Sequence, residues 1–391
     1  MGPLAGCRVL EMAGLGPAPF CGMLLADMGA DVLRVDRREE AELGFDVGSD
    51  PRFAVVGRGK RSVAVDLKSP AGRDLVLNLI ARADALIEGF RPGVMERLGL
   101  SPAACLTVNP QLVFGRITGW GQSGPLASTA GHDINYIALS GALHAVGPAQ
   151  ATPSPPLNLV GDFGGGAMFL AFGIVSAMLA AARTGKGQII DAAMVDGAAY
   201  LLAPIFGFLA SGVWQDQRQS NYLDGAAPWY RTYETKDGKF VAVGAIERRF
   251  YAELLERLCL TQDDLPDQYD RSGWERLGAR FAAVFRSRTR DEWCEVFRSS
   301  DACFAPVLSL REAHGHPQLA GRGTFISLDG VVQPAPAPRF SETEPEISRP
   351  PPQVSEGGAE ALRDWGIPSQ VVHRLSAKGV IRAGKEQSES G

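Results

Sequence analysis

His132 and Asp162 are the side chains in this sequence best placed to move protons, and each has glycine beside it. They occur in Gly131-His132-Asp133-Ile134-Asn135-Tyr136 and in Gly161-Asp162-Phe163-Gly164-Gly165-Gly166, thirty positions apart (162 minus 132). An imidazole with an ordinary pKa near ~6.5 is a ready base at neutral pH. A carboxylate near ~3.9 is a fair base, but its pKa must rise before it can return a proton. Two such groups on opposite faces of a carbon next to a carbonyl would remove a proton from one side and replace it from the other. Phe163 and the apolar run behind it are expected to desolvate Asp162, while a helix start there would favour the anion. The same helix start can offer N–H donors to an enolate oxygen, with Gly164 to Gly166 letting the substrate approach. Asp133 reads as a helix cap.

The elements that must hold these groups follow from the pattern. Strand-like runs at Arg8–Glu11, Asp31–Val35, Ser62–Leu67, Ala85–Ile87, Leu112–Ile117 and Ile189–Ala192 alternate with helix-like Pro17–Met28 and Gly72–Arg82. That alternation predicts an α/β fold with a Rossmann-like, mostly parallel sheet. After about residue 205 the texture changes. Trp229–Glu234 and Phe240–Val243 around Asp237-Gly238 read as a hairpin, followed by helices at Arg249–Leu258 and Arg290–Arg298, giving a smaller α+β domain. The expected domains are 1–200 (large α/β), 201–225 (linker), 226–325 (small α+β) and 326–391 (return linker and C-terminal helices packing on the large domain). Pro334–Pro352 is the extended part of that return, with short helical patterns at Ala359–Trp365 and Pro368–Leu375 before a polar tail.

Composition narrows the class. The chain has 391 residues, 45% hydrophobic and 21% charged, with a formal net charge of -5, which suits an ordinary soluble globular chain and argues against a nucleic-acid binder. Cys7, Cys21, Cys105, Cys259, Cys294 and Cys303 are scattered without metal-ligand spacing, so buried free thiols and no metal are expected. Phe163 to Ala182 is uncharged and long enough to cross a bilayer, but Asp162 before it and Arg183 to Gly187 after it favour a helix buried inside the α/β domain. Met1-Gly2 lacks the Ser or Thr that acylation needs, since Gly6 stands there, and Glu389–Gly391 carries no organelle address; a cytoplasmic protein without membrane association is expected. Gly14-Leu15-Gly16-Pro17-Ala18-Pro19 with Asp36 looks at first like a dinucleotide loop, but Pro17 and Pro19 remove N–H groups that a pyrophosphate would need.

Read in order, these stretches resemble the CoA-transferase family III superfamily and, within it, the α-methylacyl-CoA racemases. The likeness runs through Gly14–Phe20, Ala26–Val32, Gly57–Ser62, Asp66–Lys68, Phe90–Val94, Gly119–Pro125, Gly131–Tyr136, Gly161–Gly166, Arg231–Tyr233 and Gly244–Glu247. It implies an isomerase that interconverts 2-methylacyl-CoA epimers in fatty-acid metabolism, with His132 and Asp162 as the two acid/bases. Glu247 matches an acid that hydrogen-bonds the imidazole. Arg37, Val65, Asp66, Leu67, Lys68, Gly89, Phe90, Arg91, Arg97, Gly131, Asp133, Ile134, Asn135 and Tyr136 match positions lining the CoA and substrate site. Arg58, Lys60 and Arg61 are further candidates for CoA's phosphates. The resemblance also implies an interlocked homodimer with shared active sites and no cofactor beyond the CoA of the substrate. Arg248 and Arg249 depart from the pattern and read as solvated loop residues. Two other readings stay open: a CoA-transferase with Asp162 as nucleophile, and a non-catalytic acyl-CoA binder.

Overall fold

The computed structural model describes residues 2–38, 50–261 and 265–382. The C-terminal tail, Glu389–Gly391 included, and Met1 lie outside the described residues. Strands β1 (Arg8–Met12), β2 (Asp31–Asp36), β3 (Lys60–Val65), β4 (Ala85–Glu88), β5 (Val113–Thr118) and β6 (Gln188–Ala193) form one sheet. Its order is 3-2-1-4-5-6, every neighbour parallel, with a short antiparallel strand at Ile381–Arg382 closing the β3 edge. The chain steps outward from β1 through β2 to β3, then returns to the other side of β1 as β4. Loops leaving the carboxyl ends of β1 and β4 therefore diverge, and that is where an open α/β sheet leaves a crevice.

Both faces of strands β1 to β5 are covered, which is why these strands are largely buried and mostly apolar, their charged residues being paired with one another or with neighbours. Successive side chains point to opposite faces. Val9, Val32, Ile87, Val113 and Ile117 meet the helices Pro17–Asp27 and Met168–Thr184. Leu10, Met12, Leu33, Val35, Leu86 and Phe114 meet the helices Pro70–Ile80, Pro102–Val108, Gly358–Asp364 and Ser369–Ala377. The C-terminal return is thus part of the first core.

Two expectations shift here. The third strand starts at Lys60 instead of Ser62 and ends at Val65. Its first two residues are cations that look like loop but are buried because each has an acidic partner. The apolar helix behind Asp162 is not wholly buried. Leu170, Ile174, Ala177 and Ala181 face the core, whereas Met168, Phe172, Val175 and Leu179 form an exposed stripe. The helical run Leu159–Thr184 is also long and apolar enough to cross a membrane.

The chain divides into two compact units, one of residues 2–140, 157–201 and 323–382 and one of 141–156 and 202–322 among those described. Residues 141–156, counted in the large domain on sequence, group with the second unit. The Arg218 guanidinium donates to the carbonyls of His144 and Ala151 at 3.0 and 3.1 Å, and Ala149 N–H donates to Gln219 Oε1 at 3.0 Å. In the second unit, β7 (Tyr230–Glu234) and β8 (Phe240–Gly244) form the expected hairpin, with β9 (Phe304–Val307) added antiparallel to β8. Helices Arg248–Arg257, Trp274–Phe285 and Arg290–Val296 belong to the same unit, and their buried side chains share a core with Val241, Val243 and Tyr233. The first unit also holds a hairpin of β10 (Phe325–Leu328) and β11 (Val331–Pro334), absent from the sequence reading. Asp329-Gly330 between them was the available turn signal.

Of the cysteines, Cys21 and Cys105 are buried, but Cys259 and Cys303 are exposed and Cys7 and Cys294 intermediate, so burial holds for only part of the set. Trp365 is fully buried where the C-terminal helices meet the sheet, and its indole N–H donates to Asp31 Oδ2 at 2.7 Å. Trp365→Ala should therefore lower unfolding free energy by about 3–5 kcal/mol, read from the urea midpoint at unchanged m-value.

Candidate active site

The candidate residues of the first unit follow the carboxyl ends of its parallel strands. Gly16 follows β1, Arg37 follows β2, Asp66 to Lys68 follow β3, Gly89 to Arg91 follow β4 and Gly119-Trp120 follow β5. This placement follows from the sheet: side chains within the strands are consumed by packing, and the next residues emerge over the edge. Val65, still inside β3, is buried in the core. Asp66 accepts the Lys68 N–H at 3.0 Å; Leu67 packs against the core, and Lys68 is exposed.

His132 is exposed and is the N-cap of the helix Asp133–Leu139, its own N–H donating to Asn135 Oδ1 at 3.0 Å. The cap is thus His132, and Asp133, read as the cap, is the first helical residue. Asp133 is buried, and its Oδ2 accepts the backbone N–H of Asp162 at 2.7 Å. A Cβ at Gly161 would lie 2.6 Å from that oxygen, so only glycine leaves room for the bond. Exposed Ile134 and Asn135 lie on the next positions of the helix. Tyr136 is buried; its hydroxyl donates to the Gly131 carbonyl, and its ring stands edge-on to Trp120 at 4.8 Å. Gly119 permits this, since a Cβ there would fall 2.1 Å from the tyrosine ring. Burial, aided by the Asp162 charge, pushes the Tyr136 hydroxyl up to about 12, so it stays a hydrogen-bond donor.

Asp162 lies in a π-helical segment, Leu159–Ala167, that runs into the helix Met168–Thr184. Burial is the largest influence on its carboxyl and raises the pKa, with the Asp133 charge adding to the rise; the Asn158 amide, donating to Oδ2 at 3.0 Å, and a charge on His132 act in the opposite direction. Desolvation therefore wins over the forces favouring the anion. Phe163 stacks on Phe20 at 4.6 Å and covers that side of the segment. Gly16, at φ +68, would place a Cβ 3.4 Å from Asp162 Oδ2.

The glycine run also serves packing. A Cβ at Gly165 would meet the Ala198 backbone N at 2.5 Å, and one at Gly197 would meet the Gly165 carbonyl at 1.8 Å. These glycines let the π-segment touch the helix Met194–Leu201, backbone to backbone. The Asp162 N–H is also taken by Asp133 and is not free for an enolate.

Arg37, Lys68, Arg91 and Arg97 are exposed, and among the described residues none is in an ion pair. Arg37 lies over the Phe90 ring at 5.9 Å, Arg91 is close enough to act on the Tyr136 hydroxyl, and Arg97 folds against Gly93. Exposed Gly89 follows β4, and a Cβ there would lie 3.2 Å from Ala18 Cβ. Arg58, Lys60 and Arg61 do not join this group. Arg58 is buried against Asp27 at 2.6 Å, Lys60 against Glu11 at 2.6 Å and Arg61 against Asp31 at 2.7 Å.

Glu247 belongs to the second unit, where it is exposed and is the N-cap of the helix Arg248–Arg257. The turn before it is held by Gln268, a residue the sequence reading missed. The buried Gln268 amide donates to the carbonyls of Ala245 and Ile246 at 3.1 and 2.7 Å, and its backbone carbonyl accepts the indole N–H groups of Trp229 and Trp274. An apolar cavity of about 440 Å³ opens beside Ile246, lined in part by Trp214, Tyr222, Leu223 and Tyr269. Arg248 pairs with Asp267 at 3.1 Å and lies over Tyr269; Arg249 lies over Phe250. No group of three or more His, Cys, Asp and Glu side chains among the described residues is arranged to hold a metal.

Comparison with known proteins identifies the family and the fold. Residues 4–357 match the model of CoA-transferase family III. The chain is 45% identical over 386 residues to the α-methylacyl-CoA racemase of Mus musculus, covering 98% of each chain. It is 43% identical over 385 residues to the human protein of the same name, again with 98% of each covered. Its fold matches a CaiB/BaiF family protein from Brucella suis with a TM-score of 0.78 at 27% identity, covering 93% of this chain and 99% of that one. A parallel sheet of order 3-2-1-4-5-6, the ordered motifs along its loops and these matches together place the chain in CoA-transferase family III.

Proposed function

We propose that this enzyme is an α-methylacyl-CoA racemase that inverts the C2 centre of 2-methylacyl-CoA thioesters through an enolate. The observation carrying this reading is the hydrogen bond by which Asp133, adjacent to His132, fixes the backbone of Asp162. It supports a fixed relation between an imidazole and a carboxylate whose pKa is raised by burial. A carboxyl raised above its ordinary range is better matched to giving a proton back near neutral pH, the property an acid/base pair for two epimers requires. Either residue removes the C2 proton, according to the epimer bound, and the other delivers one to the opposite face. Electrons pass from the broken C–H bond to the thioester oxygen and return as the new C–H bond forms.

Arg37, Lys68, Arg91 and Arg97, at the loop ends, supply positive charge for the CoA phosphates. No metal or redox group is required. The exposed stripe of Met168, Phe172, Val175 and Leu179 supports a homodimer, because an apolar face of that kind is covered in a stable protein. In that homodimer Glu247 of one subunit hydrogen-bonds His132 of the other.

The decisive test is incubation of a single 2-methylacyl-CoA epimer in deuterated water. Epimerisation with deuterium entering at C2 is expected, and His132→Ala or Asp162→Asn should each lower the rate by about 10²-fold or more. An unchanged, unlabelled epimer defeats the reading, whereas a CoA adduct trapped on Asp162 with a carboxylate acceptor replaces it with the transferase.

Asn158→Ala removes the hydrogen bond that favours ionised Asp162, so the carboxyl rises further. In the direction where Asp162 is the base, the acidic limb of the pH–rate profile should move to higher pH; in the opposite direction activity should persist to higher pH. A profile unmoved in both directions contradicts the assignment.

The shared site predicts complementation. His132→Ala and Glu247→Gln homodimers should both be impaired, and subunits unfolded and refolded together should regain part of the activity through hybrids carrying one intact site. Phe172→Glu should yield monomers by sedimentation velocity and abolish exchange.

A further inference from the structure

Glu11 and Lys60 are both fully buried, with the Lys60 ammonium 2.6 Å from Glu11 Oε2, and neither takes part in the proposed proton transfer. A wholly buried ion pair is a poor source of stability, because desolvating two charges offsets most of their attraction. Apolar side chains of the same volume would hold β1 to β3 as well. The chain also gives up a side chain to accommodate the pair. Gly22 sits inside the helix Pro17–Asp27, where a Cβ would fall 1.8 Å from Glu11 Oε2, and glycine is a weaker helix former there than alanine.

Lys60 makes a second contact. Its ammonium donates to the Pro19 carbonyl at 2.8 Å, in the first turn of that helix. This turn meets the catalytic region at several points. Gly16, its N-cap, lies against the Asp162 carboxylate; Phe20 stacks on Phe163; and Ala18 approaches Gly89. Pro17 and Pro19 fix φ at their own positions but supply no N–H with which neighbouring segments could anchor the turn.

We propose that the Glu11–Lys60 pair is a positioning strut for the proton-transfer site, Glu11 holding the Lys60 ammonium beneath the turn 16–20 and Lys60 fixing that turn against Asp162 and Phe163 through the Pro19 carbonyl. The inference rests on the assignment of Asp162 as an acid/base, and the pair itself touches no substrate.

The test uses full-length protein carrying Glu11→Leu with Lys60→Met, which replaces the pair by apolar groups, and Lys60→Met alone, which leaves Glu11 free to take up a proton. Two readouts are taken: C2 deuterium exchange kinetics, and backbone hydrogen exchange by mass spectrometry over residues 13–25 and 158–167. The strut predicts, for the double variant, a melting temperature within a few degrees of wild type, and, for both variants, a kcat about tenfold lower with KM within about twofold and faster amide exchange confined to those two segments. A folded variant with wild-type kcat and wild-type protection in both segments overturns it. If neither variant folds, the pair serves folding and the inference also fails. Should wild-type protein not exchange deuterium at C2, the racemase reading falls instead, and the strut stands or falls on the amide protection alone.

Discussion

The constraint on which the site depends is the hydrogen bond from the Asp162 backbone N–H to the buried Asp133 carboxylate. His132 and Asp133 are neighbours at the start of one helix, and Asp162 lies in a π-helical segment far along the chain. One bond therefore ties the imidazole-bearing residue to the carboxylate-bearing residue through rigid backbone at both ends. The same bond brings a second negative charge beside Asp162, which adds to the burial that raises its pKa. Positioning and tuning thus come from one contact, and Gly161 is the residue that permits it.

The sheet explains why the remaining parts converge on that bond. Strand order reverses at β1, and the loop that leaves it has a glycine-rich sequence of the kind that cradles phosphates in dinucleotide-binding folds. Here two prolines remove the donors, and Gly16 instead gives space to the Asp162 carboxylate. The topology is kept while the loop's task changes from holding an anion of a ligand to flanking an acid of the protein.

Much of this arrangement was legible in the sequence. The strands of the main sheet were readable because a sheet buried on both faces has long apolar runs, and Asp237-Gly238 marked the β7–β8 hairpin of the second unit. What stayed hidden depends on contacts between distant residues. Nothing local in Lys60-Arg61 announces that Glu11 and Asp31 will bury them, so β3 seemed to start at Ser62. Gly164 to Gly166 looked like room for a ligand; the close backbone contact of Gly165 with Gly197 is visible only in the tertiary fold. The exposed stripe on Met168–Thr184 was illegible for the opposite reason, since an apolar side chain meant for another surface has the same composition as one meant for the core. His132 and Asp162 stood out because an imidazole and a carboxylate flanked by glycine are unusual, but the part played by Asp133 is set by the direction of a hydrogen bond, which spacing does not reveal.

The cations show how the fold sorts residues of one type into different tasks. Arg58 and Arg61 lie at the amino end of β3, and Lys68 lies just past its carboxyl end. A six-residue strand separates these positions by about 20 Å at roughly 3.3 Å per residue. A ligand held over the carboxyl edge is within reach of Lys68, Arg37 and Arg91 but not of the guanidiniums at the opposite edge. Those are free to be neutralised by Asp27, Asp31 and Asp364. Lys60 is the exception that the geometry allows. Its backbone is at the amino end, but its flexible stem carries the ammonium upward to Pro19, where it meets the site from below and never reaches solvent. Along β3, then, the cations at the amino end are consumed by acids of the fold, while Lys68, past the carboxyl end, is exposed and outside any ion pair among the described residues.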